Sequence, residues 1–297
     1  MERHDEEFSW HHEGVDIRLG MTRMGSGETV LLLPALSSIS TRAELLPLQR
    51  LLAPHAATVS VDWPGFGTLP RPARNWRPED LKAFLHELAV RLRPAATVAA
   101  GHAAGYALAE AAATPRALGA LSLLSPTWRG PLPTMTGRRL RLFRALAQAV
   151  DLPVVGTAFY RLNVNRPVIG MMMRGHVYAD PAFVTPELMQ EKLTVTEAPG
   201  ARHASFRFVT GELDPFDSRE AMLAAAGQAA VPVQVVRAAA TPRKSGAEMA
   251  ALASLAGIED VVVGEGKLSA YEEHAGAVAP PVIAFLARVL GERRAGP

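Results

Sequence analysis

The chain has 297 residues and no cysteine. That excludes disulfide scaffolds, thiolate zinc sites and cysteine nucleophiles. Aromatic residues are scarce at 6%. The longest weakly polar run, residues 94–113, is mostly alanine and glycine and includes His102 and Glu110, a poor composition for a membrane span. A surplus of one charge sign is also missing. Lysine plus arginine is 31 against 29 for aspartate plus glutamate, a formal net charge of +2, which does not point to nucleic acid. The first residues, Met1-Glu2-Arg3-His4-Asp5-Glu6-Glu7, are acidic and lack an apolar core. They do not read as a signal peptide, and the expectation is a soluble, cytoplasmic chain.

What is present is an alternation of strands and helices. Strands are expected at residues 8–12 and 15–22, around Gly14. Thr29–Leu33, Ala57–Val61 and Ala96–Ala100 are short runs of small and apolar residues, as strands buried on both faces should be. Helical spacing marks residues 43–52, 78–92 and 104–113, and a strand follows at 118–124. Pro78 with Glu79 and Asp80 suits a helix entry. The rhythm breaks between about Trp128 and Ala201, where repeated prolines cut the chain into short helical pieces. It resumes with expected strands at 206–210, 231–236 and 260–263 and helices at 218–228, 247–255 and 278–290. The fold class is therefore α/β, a mostly parallel sheet covered by helices on both faces. The core takes residues 1–126 and 201–297, with a helical cap inserted at 127–200.

Four motifs point to one family. Asp62-Trp63-Pro64-Gly65-Phe66-Gly67 follows a buried strand. Gly101-His102-Ala103-Ala104-Gly105 has the spacing of the G-x-S-x-G nucleophile elbow, between a strand and a helix, where two glycines flank a strained residue. Leu124-Ser125-Pro126 ends the next strand. Thr210-Gly211-Glu212-Leu213-Asp214-Pro215 looks like a strand-end loop. Together they resemble the α/β-hydrolase superfamily over residues 8–290. Within it the chain is similar to a subgroup of photosynthetic organisms and bacteria whose elbow reads G-H-A-A. The shared stretches are Ser125–Pro133, His176–Asp180 and Pro242–Ser245 with Ala247-Glu248-Met249.

The resemblance fails at the catalytic atoms. Position 103 is alanine, and a methyl group cannot attack a carbonyl. The family's base is a histidine after the last strand, but Gly264–Ser269 contains none, and His274 reads as a surface residue beyond it. The acid is open between Asp214 and the Thr241-Pro242 loop, because the pattern places an extra strand–helix unit after the cap. Ser-His-Asp chemistry is then not available. The resemblance still implies backbone donors at Leu36 and Ala104, which bind a carbonyl or carboxylate without cleaving it. The alternative is a capped turn in which Ser37 and Ser38 bond their own backbone. His102 and Asp214 are the candidate base and acid, each with a structural alternative: a buried histidine, and a cap for the helix near Ser218. The candidate ligand-binding residues are Leu36, Ser37, Ala103, Ala104, Trp128 and His176. No spacing suggests a metal site, and no cofactor fingerprint is present.

The near balance of charge conceals a local excess. Thr127–His176 holds arginines 129, 138, 139, 141, 144, 161, 166 and 174 against Asp151 alone, a surplus of +7. Met171-Met172-Met173 adds an adaptable apolar surface. This cap suits a small apolar or anionic ligand, or peripheral contact with an anionic membrane. A solvated arginine face is the structural alternative, and oligomeric state is not legible. Three functions follow: a non-hydrolytic ligand binder, an enzyme with unconventional cofactor-free chemistry, or an esterase carrying alanine in place of a natural serine.

Overall fold

The computed structural model describes residues 2–295. Eight strands form one sheet: β1 (Arg3–His12), β2 (Val15–Met24), β3 (Thr29–Leu33), β4 (Ala57–Val61), β5 (Ala96–Ala100), β6 (Ala120–Leu124), β7 (Val233–Ala238) and β8 (Ile258–Val263). Their order across the sheet is β1-β2-β4-β3-β5-β6-β7-β8. β1 pairs antiparallel with β2, and β2 antiparallel with β4; the remaining pairs are parallel. The mostly parallel α/β expectation is met.

The helices in chain order are α1 (Leu46–Leu52), α2 (Pro78–Leu92), α3 (Ala103–Ala113), α4 (Pro131–Thr136), α5 (Arg141–Ala149), α6 (Pro153–Asn163), α7 (Arg166–Met172), α8 (Pro186–Glu197), α9 (Ala201–Thr210), α10 (Arg219–Gln228), α11 (Arg243–Ala253), α12 (Ala270–Glu273) and α13 (Ala275–Ala295). Alternate strand residues feed two cores, as the pleat requires. Leu31, Leu33, Val59 and Val235 pack with α2, α3 and α10. Val30, Leu32, Val98 and Val236 pack with α1 and α13 on the other face. α13 is long and apolar enough to cross a membrane, but Val278, Val282, Phe285 and Leu286 are buried in that second core.

One expected strand is not a strand. Residues 206–210 form the last turns of α9, with the Thr210 hydroxyl donating to the Phe206 carbonyl at 3.0 Å. Phe, Val and Thr favour strands in isolation, but tertiary packing overrides that preference. Phe206 packs with Val150 and Tyr160 of the helical insertion instead. The extra strand–helix unit therefore does not exist: β7 and β8 are the only two strands after β6 among the described residues. The helices from α4 to α9 all lie between β6 and β7.

The loop after β4 is fixed by its motif residues. Buried Asp62 accepts from the Arg42 backbone N–H at 2.7 Å and its guanidinium at 2.6 Å. Trp63 Nε1 donates to the Pro34 carbonyl at 2.9 Å, tying this loop to the one after β3.

Candidate functional site

The turn after β5 is built on glycine. Gly101 takes a positive φ of +50°, and an added Cβ would lie 3.0 Å from the Ala35 Cβ. Gly105 lets α3 approach the loop after α9, since a Cβ there would meet Pro215 Cγ at 2.8 Å. The expected strained residue between them is absent. Ala103 is not among the residues of positive φ; it opens α3, after His102 with ordinary helical angles of φ −68° and ψ −23°. Glycine absorbs the left-handed conformation without steric cost, so the elbow position is relaxed.

Ala103, Ala104 and Leu36 have 0% exposure and Trp128 has 2%, all within one apolar core. A cavity holding even one water beside Ala103 would expose part of it. The Ala104 N–H donates to the Gly101 carbonyl at 3.2 Å. Ser37 Oγ shares a 2.9 Å bond with Ser40 Oγ and accepts from the Ile39 N–H at 3.3 Å. Ser37 thus follows the capped-turn alternative, whereas Ser38 Oγ accepts from the Ser205 hydroxyl of α9 at 2.6 Å.

His102 and Asp214 come together at 3.5 Å, both side chains fully buried. His102 Nε2 also lies 3.2 Å from the Leu213 carbonyl, and its Nδ1 has no partner among the described residues. Burial pushes this imidazole down to about 4, outweighing the Leu213 bond, which acts upward. It is neutral at physiological pH, with Nε2 as the donor. Burial lifts the Asp214 carboxyl to about 7, although Arg139 and the Gly130 N–H oppose the rise. Asp214 accepts from the Gly130 N–H at 2.7 Å and from Arg139 at 2.9 Å. It thus ties the entry of α4 to the end of α9. It does not cap α10, where Ser218 accepts from the Ala221 N–H.

The loops that follow β7 and β8 complete this edge of the sheet. After β7 comes Ala239-Ala240-Thr241-Pro242, with no carboxylate. Thr241 bonds back to the Ala238 carbonyl at 2.7 Å. His274 has its Nδ1 3.3 Å from Glu265 and its Nε2 3.5 Å from Glu273.

The segment after β8 holds the helical insertion instead. Lys192 of α8, 2% exposed, bonds Glu272 at 2.8 Å. The Tyr178 hydroxyl donates to the same carboxylate at 2.6 Å. Glu273 accepts from the backbone N–H groups of Ala179 and Asp180 at 2.8 and 2.7 Å. Lys267 reaches the Arg174 carbonyl at 3.0 Å. Buried Glu44 continues the cluster, accepting from the Ala35 N–H at 2.8 Å and the Tyr271 hydroxyl at 3.3 Å. Burial raises Glu44 to about 7, with Lys192 opposing. Burial alone would lower Lys192, but Glu272 and Glu44 push it up. Sequence reasoning missed this group, although the shared stretch His176–Asp180 contains Tyr178 and the two gripped amides.

The remaining candidates separate. His176 is exposed on the insertion. Trp128 Nε1 donates to Glu248 at 3.1 Å, so two of the shared stretches meet each other. Arg129 stacks on Trp128, 4.4 Å from the ring centre. Two open clefts of about 430 and 600 Å³ flank Arg139. His12, Glu13 and Asp80 could offer three metal-ligating atoms within 4.8 Å of one another. Arg77 and Arg74 already lie 3.0 and 3.5 Å from Asp80, and both pair with Glu13, so these carboxylates have their counter-charge.

Comparison with known proteins gives a consistent fold. Residues 30–280 match the model of the alpha/beta hydrolase family. An esterase from Thermogutta terrifontis superposes with a TM-score of 0.72 at 18% identity, covering 96% of this chain and 99% of that one. The haloalkane dehalogenase DatA from Agrobacterium tumefaciens C58 gives 0.70 at 16%, covering 96% and 97%. The epoxide hydrolase CorEH gives 0.69 at 16%, covering 96% and 100%. A search of curated proteins finds no match.

Proposed function

The chain belongs to the α/β-hydrolase family, and from that premise we propose that it is a non-hydrolytic member that acts by binding. The observation that carries this reading is Ala103. It stands where the elbow presents its nucleophile, it has no atom able to attack, and it has no exposed surface. Two further facts support the reading. The loop after β8 has no histidine, and the His102–Asp214 pair has no exposed side-chain surface. The neutral imidazole is a competent base only for a proton within hydrogen-bond reach, and no substrate atom reaches it in this arrangement.

The ligand this reading favours is small and anionic, with an apolar body. Arg129 and Arg138 line the 430 Å³ cleft, and no carboxylate among the described residues pairs with either. Away from this cleft, the Arg71 side chain is buried, bonds only to the Gly67 and Val195 carbonyls, and leaves Nε and Nη1 without a partner. Unpaired guanidinium groups are ready partners for carboxylate or phosphate. The purified protein should release no p-nitrophenol from short acyl esters. It should bind inorganic phosphate or a short fatty carboxylate in calorimetric titration, with Arg129→Ala weakening the interaction. Steady ester turnover would refute the non-hydrolytic reading. Absence of heat with both probes would refute the anionic ligand.

A further inference from the structure

The outer surface of the insertion is apolar and cationic at once. Among the described residues, eight of the twelve large hydrophobic side chains that are exposed lie between Met135 and Met171. The most exposed are Val154 at 81%, Leu162 at 74%, Met171 at 69% and Met135 at 67%. Val154, Ala158 and Leu162 follow one another at four-residue spacing along α6, so they form one stripe. The opposite side of α6 is anchored by buried Gly156 and Tyr160. α5 and α6 meet at a bend of 116° and are together apolar enough to pass for a broken membrane span. Arg161 at the end of α6, Arg166 at the start of α7 and Arg174 just after α7 are exposed, and no carboxylate among the described residues pairs with them. The one acid of the stretch, Asp151, is bound to Arg207 and His203 behind it.

We propose that this face of α6 and α7 docks on an anionic lipid bilayer, its aliphatic stripe entering the headgroup boundary and Arg161, Arg166 and Arg174 meeting lipid phosphates. Aliphatic side chains exposed this far project from the surface and do not line a groove, which suits insertion between lipids. Cations without carboxylates beside them gain most from the negative potential of such a membrane. The docking face is separate from the turn at Ala103, and the inference does not require that the protein lack hydrolysis.

The test is co-sedimentation of the full chain with vesicles of phosphatidylcholine alone or mixed with phosphatidylglycerol. Binding is expected to the mixed vesicles, reduced at high salt. Val154→Asp with Leu162→Asp should weaken it by about tenfold or more, since two apolar side chains leave the contact. Arg161→Gln and Arg166→Gln should each weaken it about fivefold. Melting temperatures should hold in all these variants, because the side chains are exposed. Failure to sediment with the mixed vesicles at low salt would overturn the proposal, as would undiminished binding by the Val154/Leu162 variant. Self-association abolished by that variant, without vesicle binding, would assign the face to a second copy of the chain.

Discussion

The turn after β5 and the segment after β8 lie at the same edge of the sheet, yet they are opposites in chemistry. The first is neutral and apolar, with Ala103, Ala104 and Leu36 fully buried. The second is polar and hydrogen-bonded, with Glu272 and Glu273 gripping Lys192, Tyr178 and the backbone at Ala179 and Asp180. In the family resemblance these two places supply nucleophile and base. Here one closes the core and the other fastens the insertion over it. Two positions at one edge of the sheet thus do packing and attachment, so fold alone does not carry activity.

That contrast predicts where the molecule is most vulnerable. Lys192→Met should produce the largest loss, about 3–5 kcal/mol in denaturant unfolding, because it leaves Glu272 buried without its cation. A loss below about 1 kcal/mol would mean that the latch is solvated. Gly105→Ala should cost about 1–3 kcal/mol, since its Cβ meets Pro215. Gly227→Ala in α10, with nothing within 4 Å of the new Cβ, should instead stabilise by about 0.5–1 kcal/mol. Equal effects at the two glycines would show that the close approach at Gly105 relaxes.

The pH dependence follows from the buried carboxyls. Asp214 and Glu44 are both raised to about 7 from ordinary values near 4, so folding favours their protonated forms. Their contribution is complete below the unfolded value and is lost as pH rises through about 7. His102, depressed to about 4, acts in the other direction. Its contribution is present above its unfolded value of 6.5 and is lost as pH falls through about 4. Asp214→Asn and Glu44→Gln should each flatten the fall in melting temperature from pH 4.5 to 7.5, the smaller effects in this series. Unaltered slopes would place the titrating groups elsewhere.

Much of the frame was legible before any coordinates. β3, β4, β5 and α2 occupy the expected residues, because short buried runs and a proline-led helix entry are local signals. α9 was not, because Phe206, Val209 and Thr210 favour strands locally while their packing partners lie in the insertion. The latch was invisible for a different reason. Lys192 and Glu272 are separated by 80 residues, and Tyr271 and Glu44 by 227. No spacing rule reports a buried ion pair across such distances. The exposure of His176 and the burial of Leu36 are likewise set by tertiary packing.

Ester turnover by Ala103→Ser most directly tests the proposal that this turn is sealed and non-hydrolytic. The new hydroxyl would sit where no water reaches and where the structure places no family base. The account predicts no p-nitrophenyl ester turnover above the wild-type background, together with a stability loss of about 1–3 kcal/mol from the buried hydroxyl. Sustained turnover from that single substitution would contradict it.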